Sequence, residues 1–383
     1  MSDSFGQRYR LKIKLQKRSG LYRDPLPVDR REGKYLFSNG RRLINFASND
    51  YLGLGGDGRL RRKVADNFLR YGSSSSSSRL VSANFRLLME AEKAYADFFG
   101  YEAAIFFPSG YQANIGVLSA LFEPGDQVLF DKHIHASSVK GLALSGASCS
   151  GYNHNDMSHL QKRAGRQEGP KGLVTESLFS MDGDGLDAPS LKRLKKQYGF
   201  FCVVDEAHAF GALGPHGRGM AAGLADVAVG TFGKALGLFG AFALVSHEIK
   251  AYLLNFSSPQ IYTTALPEAH AASALDALDL VRSADSRRDH LAQISARMRS
   301  NLEHAGFRVS GDAHILAVEI GDEQKALQTA MALSDRGAFV LPARFPTVPL
   351  QKAILRISLT ALHEPGDIDF FVRALGEINE SDT

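Results

Sequence analysis

From about residue 100 the chain alternates short apolar runs with longer stretches of helical period, the runs being Ala103–Phe107, Gln127–Phe130, Gly172–Thr175, Phe201–Val204, Val227–Val229 and Phe242–Val245. Near-continuous apolar strands separated by helices describe a mainly parallel sheet covered on both faces, because only a strand buried on both sides dispenses with a polar face. The pattern predicts an α/β layered core. From Leu266 to Ala305 the chain is helix-rich with Arg and Asp on its polar positions, which predicts a connecting helix leading out of that core. Beyond it Phe307–Val309, Ile315–Ile320, Ala338–Leu341 and Ile354–Leu359 read as strands, and Glu323–Arg336 and Asp367–Leu375 as helices, an α+β pattern. The expected division is an N-terminal arm over 1–45, a large α/β domain over 46–265, a connecting helix over 266–305 and a small C-terminal domain over 306–383.

Two segments fall outside this rhythm. Arg8 to Arg31 is dense in Lys and Arg, with Leu11, Ile13 and Leu15 alternating with Lys12 and Lys14; it reads as an arm packed on the body of the protein or on a partner subunit. The run Ser73–Ser78 is low in complexity, and a flexible linker is one reading. Because Leu80-Val-Ser follows at once and a helical pattern resumes at Leu87, an ordered loop at the mouth of a site is the favoured one.

With 383 residues, 44% apolar and 22% charged, the chain is long enough for two cores and too apolar for disorder. A net charge of +4 favours small anions without marking a nucleic-acid specialist, so no nucleic acid is expected as a partner. Cys149 and Cys202 are the only cysteines, which supports neither a disulfide framework nor a zinc site, and a reducing compartment follows. The N-terminus lacks the apolar core of a signal peptide and no apolar run is long enough for a membrane span, so the expected location is cytoplasmic.

The chemistry concentrates where predicted strands end. Phe201-Cys-Val-Val runs into Asp205-Glu-Ala-His208, and Val227-Ala-Val-Gly-Thr231 runs into Phe-Gly-Lys234. In an open α/β sheet ligands bind at the carboxyl ends of strands. A lysine leaving an apolar strand is partly desolvated, which disfavours its ammonium form and frees the amine for a Schiff base. A carboxylate nearby suits the ring nitrogen of an electron-sink cofactor, so the pair points to pyridoxal 5'-phosphate (PLP). Ser109-Gly110-Tyr111 opens a predicted helix after Ala103–Phe107 and reads as an anion seat for a phosphate, to which Thr231 and Thr264 add hydroxyls. His133 or His135 is placed to stack on a cofactor ring, and Arg356 to clamp a carboxylate or to serve as an edge charge. No metal site is expected: Met181-Asp-Gly-Asp-Gly lacks the ligand spacing of a calcium loop.

These residues sit within motifs that resemble the α-oxoamine synthases: Asn45-Phe-Ala-Ser-Asn49-Asp-Tyr51-Leu-Gly, Phe107-Pro-Ser-Gly110-Tyr-Gln-Ala-Asn, His135-Ala-Ser, Thr175-Glu176-x-x-Phe-Ser180, Asp205-Glu-Ala-His208, Gly230-Thr-Phe-Gly-Lys234 and Leu355-Arg356-Ile-Ser. The resemblance implies a fold-type I PLP transferase with a mainly parallel seven-stranded sheet and a smaller α+β domain. It implies decarboxylative joining of an amino acid to an acyl thioester carried by coenzyme A or an acyl carrier protein. Lys234 would form the Schiff base and shuttle the α-proton; Asp205 would pair with the ring nitrogen; His135 would stack on the ring. Ser180, His208 and Thr231 would line the ring oxygen and phosphate, with Ser109, Gly110, Tyr111 and Glu176 also around the cofactor. Arg356 and Asn49 would hold the amino-acid carboxylate, with Arg23 a further substrate contact. In the family the site is shared by two subunits, which implies a homodimer with Thr264 serving the partner's phosphate. Arg344-Phe-Pro-Thr-Val-Pro349 and Thr360–Glu364 are most similar to a branch that joins L-alanine to a pimeloyl thioester; Asn84, Asn114-Ile-Gly and Ser283–Leu291 are similar to a branch that makes long-chain amino ketones. A binding module that keeps this fold without turnover is the non-enzymatic alternative.

Overall fold

The computed structural model describes residues 3–166, 168–169 and 171–381. The chain divides into two compact units, one of residues 49–180 and 185–290, the other of 1–48, 181–184 and 291–383.

The first unit is built on a seven-stranded sheet whose spatial order is Ala103–Phe107, Ala241–Val245, Val227–Thr231, Phe200–Asp205, Lys171–Glu176, Gln127–Asp131, Ser148–Tyr152. Ala241–Val245 runs antiparallel to both its neighbours and the remaining pairs are parallel. Ala103–Phe107, Val227–Thr231 and Ala241–Val245 are buried at every position, which is why they read as unbroken apolar runs. Ser148–Tyr152 was invisible to that signal. It is one of the two edge strands, largely half-exposed, and its Ser-Cys-Ser-Gly-Tyr sequence has no apolar face to display.

An aromatic cluster of Tyr95, Phe99, Phe106, Phe210, Phe232 and Phe242 packs edge-to-face and stacked against one side of this sheet. Gly230 is required there: a Cβ would lie 2.5 Å from the Phe210 and Phe242 rings. The serine run is ordered. Ser75 Oγ donates to the Ala265 carbonyl at 2.7 Å, Ala265 N–H returns to the Ser77 carbonyl at 2.9 Å, and the Ser78 carbonyl accepts from 81, 82 and 83. Arg79 then anchors the loop in the interior by a bidentate pair with the fully buried Glu92, which also accepts from Lys250 Nζ at 2.6 Å and from Phe106 N–H at 2.9 Å.

The stretch predicted as one connecting helix is two, Glu268–Arg282 and Asp285–His304. Ser283 Oγ donates to the carbonyls of Asp279 and Leu280, competing with the backbone ladder, and Asp285 begins the next helix with its carboxylate held by Arg288.

In the second unit the N-terminal segment is the helix Asp3–Arg18 followed by Arg30–Glu32, Tyr35–Ser38 and Arg41–Asn45, a meander joined in parallel by Ala338–Phe339. Asn39 and Gly40 adopt φ of 50° and 74°, the left-handed pair of a two-residue hairpin turn. A second, antiparallel sheet runs Val309–Ser310, Ile315–Gly321, Ala353–Ser358, Leu341–Ala343. The predicted strand Ala338–Leu341 is therefore split between two sheets, and Pro342, which donates no N–H, sits on the edge strand that follows. Glu323–Arg336 is capped by Asp322 and ended by Gly337 in the left-handed conformation. No helix among the described residues is long and apolar enough to cross a membrane.

Candidate active site

Adjacent parallel strands of the first unit deliver the chemistry to one edge of the sheet. Lys171–Glu176 and Phe200–Asp205 are in register so that Glu176 lies opposite Asp205 at their carboxyl ends, and Val227–Thr231 ends beside them with Lys234 three residues on. The helix Gly110–Leu121 starts after Ala103–Phe107. Together these ends enclose a cavity of about 220 Å³ lined by Gly110, Tyr111, Asn114, His135, Glu176, Asp205, Ala207, His208, Val229, Gly230, Thr231 and Lys234.

Lys234 Nζ lies 2.7 Å from His208 Nε2, and His208 Nδ1 lies 2.5 Å from the hydroxyl of the fully buried Tyr51, which is in turn 3.1 Å from Asn49 Oδ1. With a neutral imidazole, the contacts are satisfied as follows. The amine donates to Nε2, Nδ1–H donates to Tyr51 Oη, and the phenol donates to Asn49 Oδ1. In this arrangement His208 holds the lysine amine through its ring.

Asp205 is held at both oxygens, Oδ1 accepting from Ala207 N–H at 2.9 Å and Oδ2 from Asn114 Nδ2 at 2.7 Å. The neighbouring Glu176 is buried and accepts from His135 N–H at 2.5 Å. Burial, and then the charge of Asp205, push its carboxyl well above the usual carboxylate range, against the opposing pull of Lys234 and the His135 amide. His135 is exposed, yet desolvation by the surrounding protein lowers its pKa, opposed by Asp205 and helped by Lys234.

Ser109 caps the Gly110–Leu121 helix, its Oγ accepting from Gln112 N–H at 3.2 Å. The cap leaves the first-turn N–H groups of Gly110 and Tyr111, which have no intrahelical acceptor, at the cavity wall. Thr231 Oγ1 donates to the Gly240 carbonyl at 2.9 Å and accepts from Gly233 N–H at 3.1 Å, so its hydroxyl hydrogen is committed to the chain. An amine for an aldehyde, a carboxylate for a ring nitrogen and a helix N-terminus for a phosphate, all facing one cavity, fit PLP.

Of the sequence-predicted residues, Gly110, Tyr111, His135, Glu176, Asp205, His208, Thr231 and Lys234 are brought together, and Asn49 joins through Tyr51. Ser180 lies in the turn beyond Glu176 and does not line the cavity. Thr264 is exposed in the segment after the short helix Ser258–Ile261. His133 stacks on His154, ring centroids 4.0 Å apart. Arg23 and Arg356 belong to the second unit. Arg23 is exposed there, whereas Arg356 is buried in Ala353–Ser358 with Nη1 donating to Ser358 Oγ at 2.5 Å. Tyr51, Asn114 and Ser137 escaped the sequence reading as site residues. Each stands inside or beside a motif that carries the resemblance, and only the fold reveals what its polar atoms reach.

The aminotransferase class I and II family profile matches residues 41–375. The chain is 41% identical over 366 residues to 8-amino-7-oxononanoate synthase of Anaeromyxobacter dehalogenans, covering 94% of this chain and 92% of that one. A solved structure of serine palmitoyltransferase with its PLP internal aldimine superposes with a TM-score of 0.92 at 29% identity, covering 100% of this chain and 99% of that chain. The 8-amino-7-oxononanoate synthase of Francisella tularensis superposes with a TM-score of 0.78 at 30% identity, covering 89% of this chain and 98% of that one. The sheet order, the cavity and these likenesses agree: the chain belongs to the aminotransferase class I and II family and, within it, to the α-oxoamine synthases, PLP-dependent C-acyltransferases of fold type I.

Proposed function

We propose that the protein condenses a small L-amino acid, alanine foremost, with an acyl thioester and loss of carbon dioxide to give an α-amino ketone, the reaction of an 8-amino-7-oxononanoate synthase. The observation that carries this reading is the cavity in which Lys234 Nζ sits 2.7 Å from His208 and Asp205 is fixed at both oxygens, in a chain 41% identical to a synthase of that name.

PLP bound there supplies an aldehyde for capture of the amino group and a ring that withdraws electrons from the substrate α-carbon. The chain's own residues do the rest. Lys234 would hold the cofactor and its amine would take the α-proton; His208 keeps that amine in place through the Tyr51 link. Asp205 would hold the ring nitrogen, and the His135 imidazole would stack on the ring. Gly110 and Tyr111 N–H groups would seat the phosphate, with Ser109 and Thr231 beside it, and Glu176 braces the His135 backbone. For the amino-acid carboxylate the family resemblance names Asn49, Arg356 and Arg23. The active form is a homodimer in which Thr264 meets the partner's phosphate, supported by its exposed position.

A second reading is favoured by one observation, the TM-score of 0.92 to a serine palmitoyltransferase: a longer acyl chain, with serine or glycine as co-substrate. Alanine, serine and glycine are assayed against pimeloyl and long-chain thioesters on coenzyme A and on acyl carrier protein, with thiol release as the readout. Turnover with alanine and the pimeloyl donors is expected. Turnover confined to long-chain donors selects the second reading, and a wild-type protein that forms no visible band with PLP, or a Lys234→Ala variant that keeps it, overturns both.

A further inference from the structure

We propose that Asn114 is a positioning residue that orders two groups of the cofactor site at once, one amide N–H holding the Asp205 carboxylate and the other, through Ser137, fixing His135 as its Nε2–H tautomer. The inference rests on the PLP reading above and goes beyond it in assigning a task to a residue that would not touch the reacting atoms.

Asn114 is 3% exposed on the Gly110–Leu121 helix and Ser137 is fully buried on the helix Ala136–Ser145. The Asn114 amide nitrogen lies 2.7 Å from Asp205 Oδ2 and 3.0 Å from Ser137 Oγ. Only the nitrogen end of the amide can face a carboxylate at that distance, so both its hydrogens are spent, one on each partner. Ser137 Oγ, having accepted from Asn114, donates its own hydrogen to His135 Nδ1 at 2.6 Å, and Ser137 N–H reaches the same nitrogen at 3.3 Å. A nitrogen that accepts twice carries no proton, which leaves it on Nε2. The lowered pKa of His135 agrees with a neutral ring. The ionisable groups around this network are Glu176, Asp205, His208, Lys234 and Tyr111, all on the cavity wall.

The two helices are built to make this reach possible. A Cβ at Gly141 would lie 2.9 Å from both the Asn114 carbonyl oxygen and Leu118 Cβ, so the helices approach more closely than any side chain there would allow, and Asn114 lies at that point of contact.

The test uses the full-length protein with selectively ¹⁵N-labelled histidine, and PLP titrated into wild type, N114A, N114D and S137A. In the apo wild type His135 is expected as Nε2–H, and as a mixture of tautomers in N114A and S137A; this readout needs no cofactor. On PLP titration, N114A and N114D are expected to raise the dissociation constant about ten- to a hundred-fold, the weight of a hydrogen bond to a charged group, and to move the pH midpoint of the visible band. S137A, which spares the Asp205 arm, is expected to stay within about three-fold of wild type. The isosteric N114D guards against loss of fold in N114A, checked by unfolding of the apo forms. A wild-type His135 that is Nδ1–H, or Asn114 variants with wild-type affinity and midpoint, overturns the inference. Failure of wild type to bind PLP at all overturns the cofactor reading and is seen separately.

Discussion

Tyr51 shows how far a single buried hydroxyl extends into the chemistry. It closes the line from Lys234 through His208 to Asn49, and removing its oxygen leaves His208 Nδ1–H and Asn49 Oδ1 without this partner. Tyr51→Phe is expected to lower kcat about ten-fold, a loss on the scale of one hydrogen bond, with KM for the thioester little changed; steady-state kinetics on both substrates checks it. A second residue-scale expectation concerns acid. His270 is buried, its Nε2 facing the Phe239 carbonyl, and burial lowers its pKa. Below about 6.5 the unfolded chain binds a proton that the folded chain refuses, so its contribution is present above that pH and lost as pH falls through it. Urea midpoints at pH 7.5 and 5.5 should differ, and less so in His270→Gln. At this scale the sequence was most legible for Lys234, Asp205, His208 and His135, because strand ends and motifs mark them. Asn114 and Ser137 were not legible, since an Asn and a Ser inside helical segments signal nothing until two helices bring them within 3.0 Å of each other.

Among the elements, strands buried at every position declared themselves and half-exposed or charged ones did not. Ala103–Phe107 was read with the bounds it has, and Glu323–Arg336 likewise, because apolar runs and caps mark both. The meander Arg30–Asn45 was overlooked under its charges although Asn39-Gly40 is a strong hairpin signal. The serine run gives the opposite lesson: composition suggests a linker, yet Arg79 pins the loop to the interior. Arg79→Met is expected to destabilise the fold by about 3 kcal/mol, the low end for breaking a buried pair because Lys250 still faces Glu92, measured by urea unfolding. Gly230→Ala carries a cost of about 1–3 kcal/mol from overpacking against Phe210 and Phe242, read in the same way, with reduced PLP affinity because the strand that leads to Lys234 is displaced.

For the molecule as a whole, the cofactor is a ligand of the folded state alone, since the cavity draws its walls from residues as far apart in the chain as Gly110 and Lys234. PLP at about a hundred times its dissociation constant should stabilise the fold by about 2.7 kcal/mol, seen as a raised thermal midpoint that Lys234→Ala diminishes. The same long-range construction has a cost during biosynthesis. Ala103–Phe107, five apolar residues in a row, has Ala241–Val245 as its sole sheet neighbour among the described strands. A ribosome adding about 5–20 residues per second leaves that segment unpaired for roughly 7 to 28 seconds after it emerges. Nascent chains stalled before residue 241 should therefore be bound by chaperones, and release should follow completion of the antiparallel strand.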